Sequence, residues 1–259
     1  MKRKRSRQFF IALTIVFSAM VVFGVFMILS IQTNYRQSRE LYNSLEQHLS
    51  FSDSFSLNLP EGETFTLPDD VVLPSVDFAA LNEINANVIG WIFLPNTQIN
   101  YPVVQGEDNT HYLNHLFDGR QNAAGAIFVD SHNSPNFQDR NTIIYGHHMR
   151  DGSMFAAIER YRSQYFFEEN PWVFLLTPQG NYVIQLVAGY TTNVRSSAWF
   201  LDFTDDDDVE VWIGERRERS DFVSEAQIRP TDRFVTLSTC SWAFNDARYV
   251  VVGRLIPLG

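Results

Sequence analysis

Two strand-like runs stand near the C-terminus: Phe234-Val235-Thr236-Leu237-Ser238-Thr239-Cys240 and, after a loop of seven residues, Arg248-Tyr249-Val250-Val251-Val252. β-Branched and apolar residues favour strands, and a short loop lets the two runs pair antiparallel. Antiparallel pairing would place Cys240 and Arg248 opposite each other at one end of the pair. Arg254 has the same strand parity, but it lies six residues further on, roughly 20 Å away at about 3.3 Å per residue. Distance therefore favours Arg248 as the neighbour of Cys240.

Similar short runs, separated by turn residues, occupy the chain from Ile89 onward. About eight strands in about 170 residues predict a mainly β fold, a closed or nearly closed eight-stranded barrel with flanking helices. The predicted strands are Ile89–Phe93, Tyr101–Val104, Ala126–Val129, Thr142–Tyr145, Val173–Thr177, Tyr182–Tyr190, Phe234–Ser238 and Arg248–Leu255. Apolar spacing predicts helices over Phe78–Val88, Phe155–Arg162 and about Asp205–Arg219.

The N-terminal region has the properties of a membrane anchor. Residues 9–31 carry no charge over 23 positions, and about 20 apolar residues cross a hydrocarbon layer of ~30 Å. Basic residues crowd positions 1–8, which predicts a cytoplasmic tail and an extracellular body. A cleaved signal peptide is the alternative, but its apolar core would be only about 7–15 residues long. We therefore expect a single N-terminal transmembrane helix that stays attached.

The remaining boundaries follow from composition. Residues 32–77 begin with helical spacing over 34–48 and continue with Pro60, Pro68 and Pro74, which predicts a helix followed by an extended stalk. Residues 78–259 form the predicted domain that contains the strands.

Charge and cysteine content exclude several functions. The net charge is −10, and five of the 20 basic residues lie in the first seven positions, so the rest of the chain is strongly acidic. Nucleic-acid binding is not expected, because phosphate contacts need clustered Lys and Arg. Cys240 is the single cysteine, so an intrachain disulfide and a cysteine-based zinc site are excluded as well.

Cys240 is the first candidate for chemistry. Most free cysteines are small buried hydrophobes, and Arg248 by itself could be a surface arginine beside a strand. The position of Cys240 at the exit of a strand favours access to solvent, and a cationic neighbour favours the thiolate.

The second candidate lies in Thr142-Ile143-Ile144-Tyr145-Gly146-His147-His148-Met149, where a strand ends in Gly and two histidines. Histidine is the usual general acid or base near neutral pH, and the glycine allows the backbone a sharp turn. Vicinal side chains of an extended segment point opposite ways, so we expect one histidine to face the site. A paired-histidine metal site is the alternative, but no third ligand stands at a characteristic spacing. We predict no metal and no cofactor, and we interpret Asp205–Asp208 as a helix start rather than a calcium loop.

These stretches resemble the sortases, and specifically class B. The resemblance rests on Thr236-Leu237-Ser238-Thr239-Cys240 with an arginine eight residues later, and on Asn141 to Met149 with its Tyr-Gly-His-His core. Val88 to Ile92, Tyr101 to Gly106 and Ala124 to Asp130 also look like the family. The similarity covers roughly Phe78 to Leu258.

The resemblance implies a cysteine transpeptidase on an eight-stranded barrel. Such an enzyme cleaves a Thr–Gly or Thr–Asn type bond of a C-terminal sorting signal on a surface protein, through a thioester. It then transfers the protein to an amine of a peptidoglycan precursor or a pilin. Carried over by position, Cys240 is the nucleophile, His147 the acid/base and Arg248 the oxyanion stabiliser.

Ser238, Tyr145 and Thr239 are then expected to touch substrate, and the helix near Asp205–Arg219 resembles the class B element beside the peptide groove. Two other functions remain open from sequence. One is a cysteine peptidase that hydrolyses the acyl-enzyme, and the other is a membrane-anchored surface domain without catalysis.

Overall fold

The computed structural model describes residues 2–51, 72–241, 243 and 245–258, with side chains from residue 10 onward. The chain divides into two compact units, Met1–Ser44 and Leu45–Gly259. Helix α1, Lys2–Leu45, makes up the first unit, and its apolar part is long and hydrophobic enough to be a candidate membrane span. The helix expected over 34–48 is thus the continuation of α1, followed by a 3₁₀ turn over Glu46–His48.

The second unit contains a two-stranded sheet, β1 (Leu49–Phe51) with β2 (Pro74–Val76), and a closed barrel of eight strands. The barrel strands are β3 (Val88–Phe93), β4 (Asn100–Gln105), β5 (Ile127–Val129), β6 (Asn141–Tyr145), β7 (Trp172–Thr177), β8 (Gly180–Asn193), β9 (Phe234–Cys240) and β10 (Ala247–Leu258). Their order around the barrel is β10-β8-β7-β3-β4-β5-β6-β9. The eight predicted strands are therefore confirmed, with ends that differ by a few residues.

Two pairings bring distant parts of the sequence together. Strand β9 pairs antiparallel with β10, and Cys240 stands opposite Arg248 while Phe234 stands opposite Arg254. Strand β6 pairs parallel with β9, and Tyr145 stands opposite Ser238. Because parallel strands end at the same edge, the residues that follow β6 lie beside the residue that ends β9.

Helices fill the connections between strands. They are α2 (Phe78–Ile84), α3 (Gln164–Glu169) and α4 (Asp206–Arg219), with 3₁₀ turns over His111–Leu113, Ala156–Arg162 and Ser197–Trp199. The side chain of Asp205 accepts a hydrogen bond from the backbone N–H of Asp208 at 3.0 Å, which caps α4. The interpretation of the four aspartates as a helix start is confirmed.

Several local predictions need correction. The helix expected over Phe78–Val88 ends at Ile84, and Val88 already begins β3. The segment expected as a helix over Phe155–Arg162 is a 3₁₀ helix. Strands β1 and β2 lie at the two ends of the predicted stalk and pair with each other. Leu49 and Leu73 are buried and hold these two ends in place. Residues 52–71 of the stalk lie outside the described residues.

Candidate active site

Cys240 is the last residue of β9 and is partly exposed. The six residues before it, Phe234–Thr239, are buried, so the barrel fixes the backbone up to the thiol and leaves the thiol itself at the rim. The adjacent strand, β10, begins at the same level and places Arg248 as the cross-strand partner of Cys240. The fold therefore places the thiol at a strand exit and beside a cation, as predicted from the sequence.

His147 reaches the same rim because of Gly146. The backbone N–H of Gly146 donates to the carbonyl oxygen of Ser238 at 3.1 Å, which extends the β6–β9 pairing by one residue. A Cβ atom at position 146 would lie 2.5 Å from Ile127 Cδ1 and 2.6 Å from Phe155 Cγ. The glycine is required by this close approach of the backbone to the core rather than by the sharp turn expected from sequence.

The imidazole of His147 is held between two partners. Its Nε2 lies 2.8 Å from the carbonyl oxygen of Leu113, and because that oxygen only accepts, Nε2 carries a proton. The ring lines the same groove as the thiol of Cys240. Nδ1 is then the nitrogen available for proton transfer with sulfur.

This arrangement shifts both titrations toward an ion pair. The interaction with His147 lowers the pKa of the Cys240 thiol, burial opposes this shift, and the positive charge of Arg248 adds to it. The interaction with Cys240 raises the pKa of His147 against the effect of burial, and the Leu113 carbonyl raises it further. Thiolate and imidazolium therefore stabilise each other.

Arg248 is half-buried, and its Nη1 donates to the carbonyl oxygen of Ala247 at 3.0 Å. The backbone N–H of Ser241, the first donor after the nucleophile, donates to the same carbonyl at 3.0 Å. That N–H is thus engaged in closing the loop between β9 and β10. The guanidinium, with five N–H donors, retains donors that can point toward the sulfur.

A groove of about 280 Å³ runs over these three side chains. Its walls include the three predicted substrate contacts, Ser238, Tyr145 and Thr239. Further lining residues, which sequence reasoning did not identify, are Asn109, Leu113, Phe128, Val194 and Trp199. The arrangement can therefore hold an extended chain against a nucleophile, a proton carrier and a cation.

Buried polar contacts fix one wall of the groove. Tyr145 OH and Asn109 Nδ2 each donate to Asp130 Oδ2 at 2.9 Å. Burial raises the pKa of Tyr145, and the Asp130 carboxylate raises it further, so the phenol stays protonated and keeps donating. The opposite wall is held by α4, where Trp212 Nε1 donates to the carbonyl oxygen of Ser197 at 2.9 Å and supports the turn that carries Trp199.

Comparison with known proteins identifies this arrangement. A family model described as "Sortase domain" matches residues 92–256. This chain belongs to the sortase family, class B. Sortase B of Staphylococcus aureus (strain NCTC 8325 / PS 47) is 30% identical over 256 residues, which are 98% of this chain and 99% of the relative. The chain is therefore a cysteine transpeptidase of the kind that anchors surface proteins.

Two solved structures show the same fold. The S. aureus sortase B–substrate complex matches with a TM-score of 0.67 and 35% identity, over 70% of this chain and 85% of that chain. A sortase B complexed with triglycine matches with a TM-score of 0.67 and 35% identity, over 70% and 86%. These likenesses cover the barrel that carries the site of this sortase.

The two histidines face different sides, as expected. His147 lines the groove, whereas His148 lines a second cavity of about 510 Å³ together with Arg150 and Arg160. Arg254 is buried at the far end of the β9–β10 pairing. Among the described residues, no group of three or more His, Cys, Asp or Glu side chains is placed to hold a metal ion.

Proposed function

We propose that Cys240, His147 and Arg248 carry out acyl transfer in this sortase, in the roles of nucleophile, acid/base and oxyanion stabiliser. The observation that carries the proposal is that the Cys240 thiol, the His147 imidazole and the Arg248 guanidinium line one groove, with Arg248 directly opposite Cys240. The thiolate attacks the scissile carbonyl carbon, and the carbonyl π electrons move to oxygen. Arg248 stabilises this oxyanion, a contribution of about 3–4 kcal/mol for donors of this type.

Proton transfer then follows from the position of His147. The tetrahedral intermediate collapses, the C–N bond breaks, and the imidazolium gives its proton to the departing amine. A thioester remains on Cys240 and a neutral imidazole remains beside it. An incoming amine attacks the thioester carbon, His147 takes the proton of that amine, and collapse expels the Cys240 thiolate. The enzyme returns to its starting protonation state.

The donor substrate is proposed to be a C-terminal sorting signal with a Thr–Gly or Thr–Asn type bond. Ser238, Tyr145 and Thr239 line the groove and would contact such a peptide. A similar structure is described as a sortase B–substrate complex, which supports a substrate of the same class here.

For the acceptor we propose the amine of a peptidoglycan precursor, with a pilin lysine as the alternative. The relative complexed with triglycine supports a glycine-type amine, because triglycine ends in an unhindered primary amine. Both acceptors need the same chemistry at the thioester, so the choice depends on what fits beside Cys240.

The test is to trap the acyl-enzyme. The full chain in detergent micelles would be incubated with a panel of sorting-signal peptides, quenched in acid and mapped by mass spectrometry. We expect the acyl group on Cys240, its transfer to triglycine when that amine is added, and no acylation of Cys240→Ala. Arg219→Lys, at an exposed position on α4, serves as the matched control and should react like the natural chain.

Three outcomes would redirect the proposal. Acylation of a residue other than Cys240 would overturn the assignment of the nucleophile. Acylation of Cys240 followed by water attack only, even at high triglycine, would make the protein a hydrolytic peptidase. A full absence of acylation with all peptides would favour a non-catalytic surface domain.

The N-terminal helix is proposed to anchor the enzyme, with residues 1–8 in the cytoplasm, 9–31 in the membrane and the barrel outside. The long apolar stretch of α1 and the basic residues before it support this orientation. Because Cys240 is the single cysteine, a membrane-impermeant thiol reagent reports its location. We expect labelling in intact cells; labelling that requires permeabilised cells would place the barrel inside.

A further inference from the structure

A carboxylate lies behind the nucleophile, on the side away from the groove. Glu159, on the 3₁₀ helix Ala156–Arg162, places Oε2 3.0 Å from His148 Nδ1. The same Nδ1 lies 3.1 Å from the backbone carbonyl oxygen of Cys240. Glu159 Oε1 accepts a hydrogen bond from Ser241 Oγ at 2.8 Å and forms an ion pair with Arg162 Nη2 at 2.9 Å. Four residues therefore form a connected group behind the backbone of Cys240. We name this group the rear cluster; its members are His148, Glu159, Arg162 and Ser241.

The protonation of His148 follows from its neighbours. Both oxygens that face Nδ1, the Cys240 carbonyl and the Glu159 carboxylate, act only as acceptors at neutral pH. Nδ1 therefore carries a proton, which it donates to the Cys240 carbonyl oxygen, while the Glu159 carboxylate lies within ion-pair distance. A nitrogen that holds its proton between two acceptors is unsuited to take a proton from the thiol, which is consistent with assigning proton transfer to His147.

The rear cluster contacts the chain at the point where the strand pairing of β9 ends. Cys240 ends β9, and β10 holds it from one side through Arg248. The next residue, Ser241, is buried, and its hydroxyl is bound by Glu159 and by Arg162 Nη2 at 3.1 Å. Without these contacts, the carbonyl of Cys240 and the start of the following loop would be held by the pairing to β10 alone among the described contacts.

We propose that Glu159 and His148 are positioning residues of this sortase, which hold the backbone of Cys240 so that its thiol stays within hydrogen-bond reach of His147. The inference rests on the proposed function of Cys240 and His147. Neither residue touches the substrate groove: their effect reaches the chemistry through the backbone of the nucleophile. A misplacement of reacting groups by about 1 Å can cost about 100-fold in rate.

Two substitutions of His148 separate positioning from proton transfer. In His148→Asn, the amide nitrogen stands where Nδ1 stands and can still donate, although asparagine cannot carry out acid–base catalysis. We expect the acylation rate to stay within about 3-fold of the natural chain. His148→Leu removes the donor, and we expect its rate to fall about 10- to 100-fold with little change in KM.

Substitution of Glu159 tests the carboxylate. Glu159→Gln has one acceptor oxygen instead of two. Its NH₂ group faces a donor whether it stands on the side of His148 or on the side of Ser241 and Arg162, so the hydrogen bonds of the rear cluster cannot all be satisfied. We expect acylation to slow about 10-fold or more and the pKa of the Cys240 thiol to rise, because the thiol loses part of its contact with His147. If Glu159 acted only as a nearby negative charge, its removal would lower the thiol pKa instead.

The measurements use the full chain in detergent. They are acylation kinetics with a sorting peptide, the pH dependence of Cys240 alkylation by iodoacetamide, and the thermal midpoint. Glu225→Gln, the same substitution at an exposed carboxylate, is the matched control and should change none of them.

Three results would overturn the inference: a folded His148→Asn that is as inactive as His148→Leu, a Glu159→Gln with natural acylation, or a lowered thiol pKa in Glu159→Gln. If His148→Leu fails to fold, the asparagine variant still decides. If the natural chain cleaves no sorting peptide, the proposed function fails, while the alkylation profile of the variants still tests the positioning.

Discussion

The two ends of the β9–β10 pair carry the same residue type in different environments. At one end, Arg248 stands opposite Cys240, is half-buried and lines the groove. At the other end, Arg254 stands opposite Phe234, is 4% exposed, and is paired with Asp232 at 3.5 Å and with Gln185 at 2.8 Å. Strand parity is identical, so the difference arises from what surrounds each end. Arg254 is enclosed by acceptors, whereas Arg248 faces a cavity and a thiol.

This contrast predicts opposite effects for the same substitution. Arg254→Met removes a buried guanidinium from Gln185 and Asp232 and leaves the Gln185 side chain without this donor, so the free energy of unfolding should fall by about 1–3 kcal/mol. The acylation rate per folded molecule, measured well below the thermal midpoint, should stay near natural. Chemical denaturation checks the first value. A loss of rate in fully folded Arg254→Met would mean that the far end of the pair also serves catalysis.

Arg248→Met should show the reverse. Removing a donor to the oxyanion is expected to slow acylation about 100- to 1,000-fold, with a change in unfolding free energy within about 0.5 kcal/mol. Single-turnover kinetics with a sorting peptide measure the rate, and denaturation measures the stability. Equal stability losses at positions 248 and 254, with an unaffected rate at 248, would remove the distinction between the two ends.

Gly146→Ala sharpens the comparison at the histidine side of the rim. The added methyl group would press on Ile127 and Phe155, and overpacking of this kind costs about 1–3 kcal/mol of stability. Because His147 follows directly, acylation should slow as well, and the pKa of the Cys240 thiol should rise. Thermal denaturation and the alkylation profile of Cys240 measure these effects. If the thermal midpoint and the alkylation profile both keep their natural values, position 146 accommodates a methyl group, which would contradict the close contacts in the structure.

The barrel could be predicted from sequence because its strands are short apolar runs with clear turn residues between them. The pairing of Cys240 with Arg248 was also predictable, because two adjacent runs and one short loop leave one close register. The apolar spacing predicts that Val88 belongs to helix α2, but in the structure Val88 is the first residue of β3. The short strands β1 and β2 were missed because each has three residues, too few for a periodic pattern.

Parts of the site could not be predicted, because they depend on backbone atoms or on distant packing. The partner of His147 is the carbonyl oxygen of Leu113, and every residue type has such an oxygen. Glu159 looks like an ordinary surface carboxylate of an amphipathic helix, and its contact with His148 appears only after folding. Trp199 reaches the groove because α4 holds its turn. Sequence motifs predicted the proposed reacting groups but not the contacts that hold them.

The central claim is that His147 and Arg248 together lower the pKa of the Cys240 thiol. The most direct test is the rate of Cys240 alkylation as a function of pH, in the full chain and in His147→Ala. We predict a midpoint below the ordinary thiol value of about 8.5, and a shift to higher pH when the imidazole is removed. A midpoint at or above about 8.5 in the natural chain, unchanged by His147→Ala, would contradict the account.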